Sequence, residues 1–226
     1  MVSINPSAYD AWYGTPFGAL CHRLERDALF SLSEPRRCEK VLDAGCGTGV
    51  YIKELLDRGI VPVGLDEDAG MLDFAARNGG HSSKLVRASI DNLPFKSLAF
   101  DKVISVCTLE FVVHPEAAVS EIARVLKRGG ILLLGFLNCN SEWARLRMEK
   151  AKSPSSVWHG ATFFCLAEIT GIAEECGLRP KGFRSAVHFQ PESEGMATDV
   201  LEALEYEGRA RSPLTAAFIA AAFFKP

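Results

Sequence analysis

Val41-Leu42-Asp43-Ala44-Gly45-Cys46-Gly47-Thr48-Gly49 is the stretch that decides how this chain is read. A short apolar run, Lys40–Ala44, enters a turn in which three glycines alternate with other residues. Val50–Arg58 then leaves it with helical spacing, Tyr51 and Leu55 on one side and Lys53, Glu54 and Asp57 on the other. Glycines at a strand-to-helix turn permit positive φ and let a ligand approach the backbone. The spacing separates the nucleotide-binding loops. A dinucleotide fingerprint needs its third glycine at position 50, which is Val50, and a P-loop needs a lysine after Gly49, which is absent. What remains is D-x-G-x-G-x-G with an acid at the strand end. A carboxylate there suits a cationic ligand and repels a pyrophosphate. The plain alternative is a tight turn that binds nothing.

Working outward, Val61–Leu65 reads as the next strand and ends at Asp66, 17 residues beyond Gly49. Such an acid reaches ribose hydroxyls beside a glycine loop in a doubly wound sheet, although alone it reads as a helix cap. Ala69–Arg77 reads as a helix, and Leu85–Ala88, Lys102–Val106 and Ile131–Leu137 as strands. The helix Glu116–Leu126 lies between the last two and is closed by Gly129–Gly130. Strands alternating with helices predict a parallel sheet covered on both faces. Asn138–Ser156 is polar and basic, carrying Arg145, Arg147, Lys150 and Lys152, and reads as a loop-and-helix insertion over the rim. A helix Leu166–Cys176, a strand Arg179–His188, a polar segment and a last strand Ala216–Phe224 follow.

Composition excludes several classes. The 226 residues carry 25 Lys+Arg against 28 Asp+Glu, a net charge of −3, with 48% hydrophobic residues. That balance fits neither a polyanion binder nor a disordered acidic tail. The longest apolar run, Ala216–Phe224, is nine residues, against the roughly 20 that cross a bilayer. MVSINPSAYD lacks a basic segment followed by an apolar one, so no signal peptide is read and a cytoplasmic location is expected. The seven cysteines form no CxxC pair, which predicts small hydrophobic fillers in a reducing compartment and no metal site.

Taken together, VLDAGCGTG, VGLDEDAGML, LPF, FDKVISVCTLEFV and EIARVLKRGGILLLG resemble, in order and spacing, the class I S-adenosylmethionine-dependent methyltransferases. The similar branch is the small-molecule one that includes the ubiquinone and menaquinone enzymes. The likeness is strong over residues 40–137, and Tyr9–Gly18 and Gly135–Asn138 with Ser141 and Trp143 resemble one of its subgroups. The resemblance implies a doubly wound α/β fold, a seven-stranded and mostly parallel Rossmann-like sheet, with an N-terminal helical lid and a rim insertion. It implies S-adenosylmethionine as cofactor and S-adenosylhomocysteine as product. By the same resemblance Asp43, Ala44, Gly45, Cys46, Gly47 and Gly49 hold the amino acid end of the cofactor, and Asp66 holds the ribose. Glu67 and Met71 would line the adenine pocket, Ser89 and Ile90 would pass the adenine edge, and Cys107 would border the methionine moiety. The family usually has Asp where this chain has Ser89, with Asp91 two residues on.

A sulfonium methyl is electrophilic unaided, so transfer resembles an in-line displacement that needs orientation and desolvation first. Where a base is required, Glu110, His114, His159 and Tyr13 are the candidates near the expected mouth. Their plain alternatives are solvated helix-approach residues, a structural hydrogen-bonder and a core aromatic. The basic run Arg145–Lys152 reads as a solvated face, with an anion clamp as its rival. Ser105-Val106-Cys107-Thr108 lacks the Pro-Pro-aromatic signature of amino-methylating DNA enzymes, and no Pro-Cys dipeptide occurs. A small-molecule acceptor is therefore favoured, with a protein side chain or a modified tRNA base as the alternatives, and no DNA and no membrane insertion are expected; the oligomeric state is unreadable. One domain spans residues 1–226: lid helices 1–38, cofactor core 39–137, insertion 138–165 and the C-terminal half of the sheet 166–226. The rivals are a silent cofactor-binding subunit of the same fold and a nicotinamide oxidoreductase, which Val50 disfavours.

Overall fold

A computed structural model describes residues 5–78 and 83–226. Seven strands form one sheet in the order β3-β2-β1-β4-β5-β7-β6. They are β1 (Val41–Ala44), β2 (Val63–Asp66), β3 (Lys84–Arg87), β4 (Phe100–Val106), β5 (Leu126–Leu137), β6 (Arg179–Ala186) and β7 (Phe218–Phe224). β7 alone runs antiparallel, slotted between β5 and β6. The strand order reverses between β1 and β4, which are paired in parallel. That switch point opens a crevice at the carboxyl ends of the strands, where ligands bind in such sheets.

The helices are α1 (Pro6–Tyr13), α2 (Pro16–Leu32), α3 (Val50–Asp57), α4 (Ala69–Arg77), α5 (Pro115–Val125), α6 (Glu142–Ala151), α7 (Leu166–Glu175) and α8 (Thr198–Arg211). The period-2 pattern of the strands divides the core. In β7, Ile219, Ala221 and Phe223 face the cluster built on α5 and α7, while Phe218, Ala220 and Ala222 face α2. Both faces are covered, so β7 reads as an unbroken apolar run despite its few β-branched residues.

Pro16 opens α2 at its first position, where a missing N–H costs nothing, and Thr15 caps it by accepting from Gly18 N at 3.0 Å. Two expectations are corrected. The polar segment before β7 contains α8, of which only Leu201 and Glu205 are buried, too few to give helical periodicity in the sequence. The fifth strand begins at Leu126, not Ile131. Leu126 pairs with Phe100, and an irregularity carries the ladder on to Lys102 and Ile131.

Candidate functional site

A cavity of about 890 Å³ opens over the switch point. Its floor is the turn between β1 and α3. Gly45, Gly47 and Gly49 have φ of +82°, +52° and +86°, a region costly to other residues. Gly45 is also fixed by contact, because a Cβ there would lie 2.3 Å from the Thr108 side chain. Around Gly47 a Cβ would meet nothing within 4 Å, so this peptide faces open space.

Asp43 ends β1 beneath the loop and is 2% exposed. Burial, with Asp66 adding its charge, pushes the Asp43 carboxyl up to about 7. Its Oδ2 and the Thr48 Oγ1 are buried with no hydrogen-bond partner among the described residues. Leaving such groups without a partner is costly, and because Asp43 and Thr48 line the cavity a ligand entering it would complete them. Asp66 ends β2 and braces the loop: Gly47 N donates to its Oδ2 at 2.8 Å and Asp68 N to its Oδ1 at 2.9 Å. The helix-cap reading of Asp66 is thereby answered. Asp68 is the cap of α4, accepting from Gly70 and Met71. Glu67, Met71, Ala88, Ser89, Ile90 and Asp91 line the same end of the cavity. Cys107 lines it at the end of β4 with φ +50°, and burial holds its thiol well above the usual range. It is no nucleophile.

The roof comes from elements far apart in sequence. α1 lies across the opening with Tyr9, Trp12 and Tyr13 lining the cavity, and none of its eight described residues is buried. The Tyr9 and Tyr13 hydroxyls are 3.0 Å apart. From α2 comes Glu25, whose carboxyl burial pushes up to about 8. From α6 and the following loop come Trp143, Arg147, Lys150 and Trp158. Neither Glu25 nor Trp158 carries a local sequence signal, and Arg147 reads from its segment as part of a solvated face. Arg145 and Lys152 do lie outside and pair with Glu142 and Glu149, but Arg147 turns inward.

The base candidates separate cleanly. Tyr13 lines the cavity. His114 is exposed at the start of α5, and exposed His159 lies with Nδ1 3.1 Å from the Ala151 carbonyl; neither lines it. Glu110 is buried behind the wall, in a single 3-10 turn. It accepts from Leu137 N at 2.6 Å, its own carbonyl accepts from Thr162 N, and burial pushes it up to about 7. Its position is that of a bolt joining this turn to β5. Among the described residues, Cys139, Cys165 and Glu168 bring potential metal-ligand atoms within 4.8 Å of one another, a grouping their sequence spacing does not suggest.

A seven-stranded sheet with one antiparallel strand, a glycine loop at the switch point and acids ending β1 and β2 define a nucleoside-cofactor-binding α/β protein. The comparisons with known proteins narrow the class. A methyltransferase domain model matches residues 42–134. A protein of Encephalitozoon cuniculi, classed provisionally as a methyltransferase, is 40% identical over 162 residues, covering 66% of this chain and 71% of that one. Uncharacterised proteins of Mycobacterium tuberculosis and Mycobacterium bovis are 34% identical over 201 residues, or 87% of this chain. The chain spans 65% of the length of these mycobacterial relatives. A crystal structure of an S-adenosylmethionine-dependent methyltransferase from Thermotoga maritima shares the fold with a TM-score of 0.75 at 22% identity, covering 97% and 96% of the two chains. The chain belongs to the class I S-adenosylmethionine-dependent methyltransferase family, whose cofactor leaves as S-adenosylhomocysteine.

Proposed function

We propose that the chain transfers a methyl group from S-adenosylmethionine to a small-molecule acceptor. The observation that carries this reading is that one cavity joins the glycine loop to a chamber roofed by aromatic side chains. The residues present fit the cofactor. Asp43 Oδ2 is an unpartnered buried acceptor suited to an ammonium group, and the Gly47 peptide is open to close approach. Asp66, held by two backbone amides, keeps further lone pairs for the ribose hydroxyls. Glu67, Met71, Ser89 and Ile90 border the adenine position, and Asp91 on the same wall offers the carboxylate that Ser89 lacks.

When bound, the cofactor supplies an electrophilic methyl group on a sulfonium. The protein's part is to hold the acceptor in line with it and to keep water out. Tyr9, Trp12 and Tyr13 on α1 serve the second task, as a lid over the cavity. An acceptor hydroxyl or carboxyl proton has one candidate recipient in the wall, the Glu25 carboxylate, which burial makes a stronger base once ionised. Burial keeps the Tyr13 phenol protonated, so its part is to donate a hydrogen bond and not to take a proton. Calorimetric titration tests the reading. S-adenosylhomocysteine should bind and NAD should not, and the reverse result would remove the assignment.

A further inference from the structure

The charges lining the cavity are segregated. Asp43, Asp66, Glu67, Asp68 and Asp91 occupy the glycine-loop end, whereas Arg147 and Lys150 enter from α6 on the other side. Glu25 of α2 also lies on that side, close enough to Arg147 for the guanidinium charge to offset part of the rise that burial gives its carboxyl, yet it makes no hydrogen bond to Arg147 Nη1. Arg147 is built into place. Its guanidinium carbon lies 5.1 Å from the Trp143 ring centre and 5.0 Å from that of Trp158. Both indoles are themselves anchored. Trp143 Nε1 donates to the Phe189 carbonyl at 2.8 Å and its ring stacks on Phe17, while Trp158 stacks on Phe111.

Despite this support, Arg147 Nη1 is buried with no hydrogen-bond partner among the described residues. A guanidinium cannot shed its proton, and two π faces offset only part of its lost hydration. Its planar N–H fork matches a carboxylate, and an anion is the partner that would satisfy it.

Resting on the methyltransferase reading, we infer that the methyl acceptor is an acid: a small molecule with an apolar or aromatic body whose carboxylate is gripped by Arg147. Arg147 is thus a specificity residue that orients the acceptor's other, nucleophilic group toward the glycine-loop end. The acidic end repels the same carboxylate, so the acceptor enters in one orientation.

The test titrates benzoate, 4-hydroxybenzoate and hexanoate, each beside its primary amide, into the full chain with and without saturating S-adenosylhomocysteine. At least one acid should bind about tenfold or more tightly than its amide, the loss expected for one charge-assisted contact. Arg147→Gln should erase that preference, and Arg147→Lys should restore part of it. S-adenosylhomocysteine affinity should stay within about twofold in both variants, because additivity holds where no contact is shared. The inference is overturned if no acid is preferred, or if the preference survives Arg147→Gln. It is equally overturned if that variant loses S-adenosylhomocysteine affinity, since the guanidinium would then serve the cofactor. Acid preference in a wild-type chain that binds no S-adenosylhomocysteine would remove the methyltransferase reading while leaving the anion site standing.

Discussion

Asp66 sits where one carboxylate has to do two things. It accepts the Gly47 and Asp68 amides, which tie the loop to β2, and it faces the cavity with lone pairs to spare. Asp66→Ala should weaken S-adenosylhomocysteine binding by about 10–150-fold, the equivalent of about 1.5–3 kcal/mol for bonds to a charged group. Asp66→Asn should cost less, because its carbonyl oxygen still accepts. Titration calorimetry, with circular dichroism to verify folding, decides between this and unchanged affinity, which would reduce Asp66 to a brace. The sequence brings Asp43 and Asp66 to the cavity beside the glycine loop because both stand near strand ends next to a glycine pattern. It misplaces Arg147, which with Lys150 turns to the cavity while Arg145 and Lys152 of the same segment pair outside with Glu142 and Glu149.

Among the elements, α1 and α2 divide the N-terminal aromatics between them. Tyr9, Trp12 and Tyr13 belong to α1 and touch the cavity, whereas Phe17 begins α2 and is buried against Trp143 and Phe189. A lid therefore ends near Gly14, earlier than the run Tyr9–Gly18 suggests. Removing residues 1–14 should lower Tm by no more than about 4 °C, the shift about 1 kcal/mol produces in a chain of this size. It should weaken S-adenosylhomocysteine binding by about tenfold or more, since covering a ligand with even one aromatic side chain is worth about 1.5–3 kcal/mol. Phe17→Ala should do the opposite, costing about 3–5 kcal/mol of stability through a cavity in the core. A truncated chain that loses most of its stability yet keeps its affinity would make α1 a staple and not a lid.

Over the whole molecule, three buried acids couple folding to pH. Burial raises Asp43 and Glu110 to about 7 and Glu25 to about 8, so the folded chain favours their protonated forms. Their contribution is fully present below the ordinary carboxylate range and is lost as pH rises through about 7 to 8. The unliganded protein should therefore melt at a higher temperature at about pH 6 than at about pH 9, roughly one unit beyond these values at either side. Asp43→Asn should flatten the curve. A profile identical in wild type and variant would show that Asp43 titrates normally. S-adenosylhomocysteine at about 100 times its Kd should add about 2.7 kcal/mol, or about 5–11 °C in Tm, and an equal concentration of NAD should add nothing.

The chain by itself determined the fold class and the glycine-loop end of the cavity. Both are written in local pattern: alternating apolar runs set the parallel sheet, and glycines with a preceding acid set the loop at its switch point. Glu110 was legible as an acid near the mouth, but not as the buried partner of Leu137 N, because that bond spans 27 residues. α8 was hidden for the converse reason, having almost no buried face to leave a period in the sequence. The Arg147 end of the cavity was decided only by tertiary structure. Trp143 and Arg147 share a face of α6 at i and i+4, but nothing in local spacing brings Glu25 of α2 or Trp158 of the following loop to them. They meet because α2 and α6 are drawn to the rim by their own apolar contacts, Phe17 against Trp143 among them. Local periodicity records which face a residue buries; it cannot record which distant residue will be waiting there.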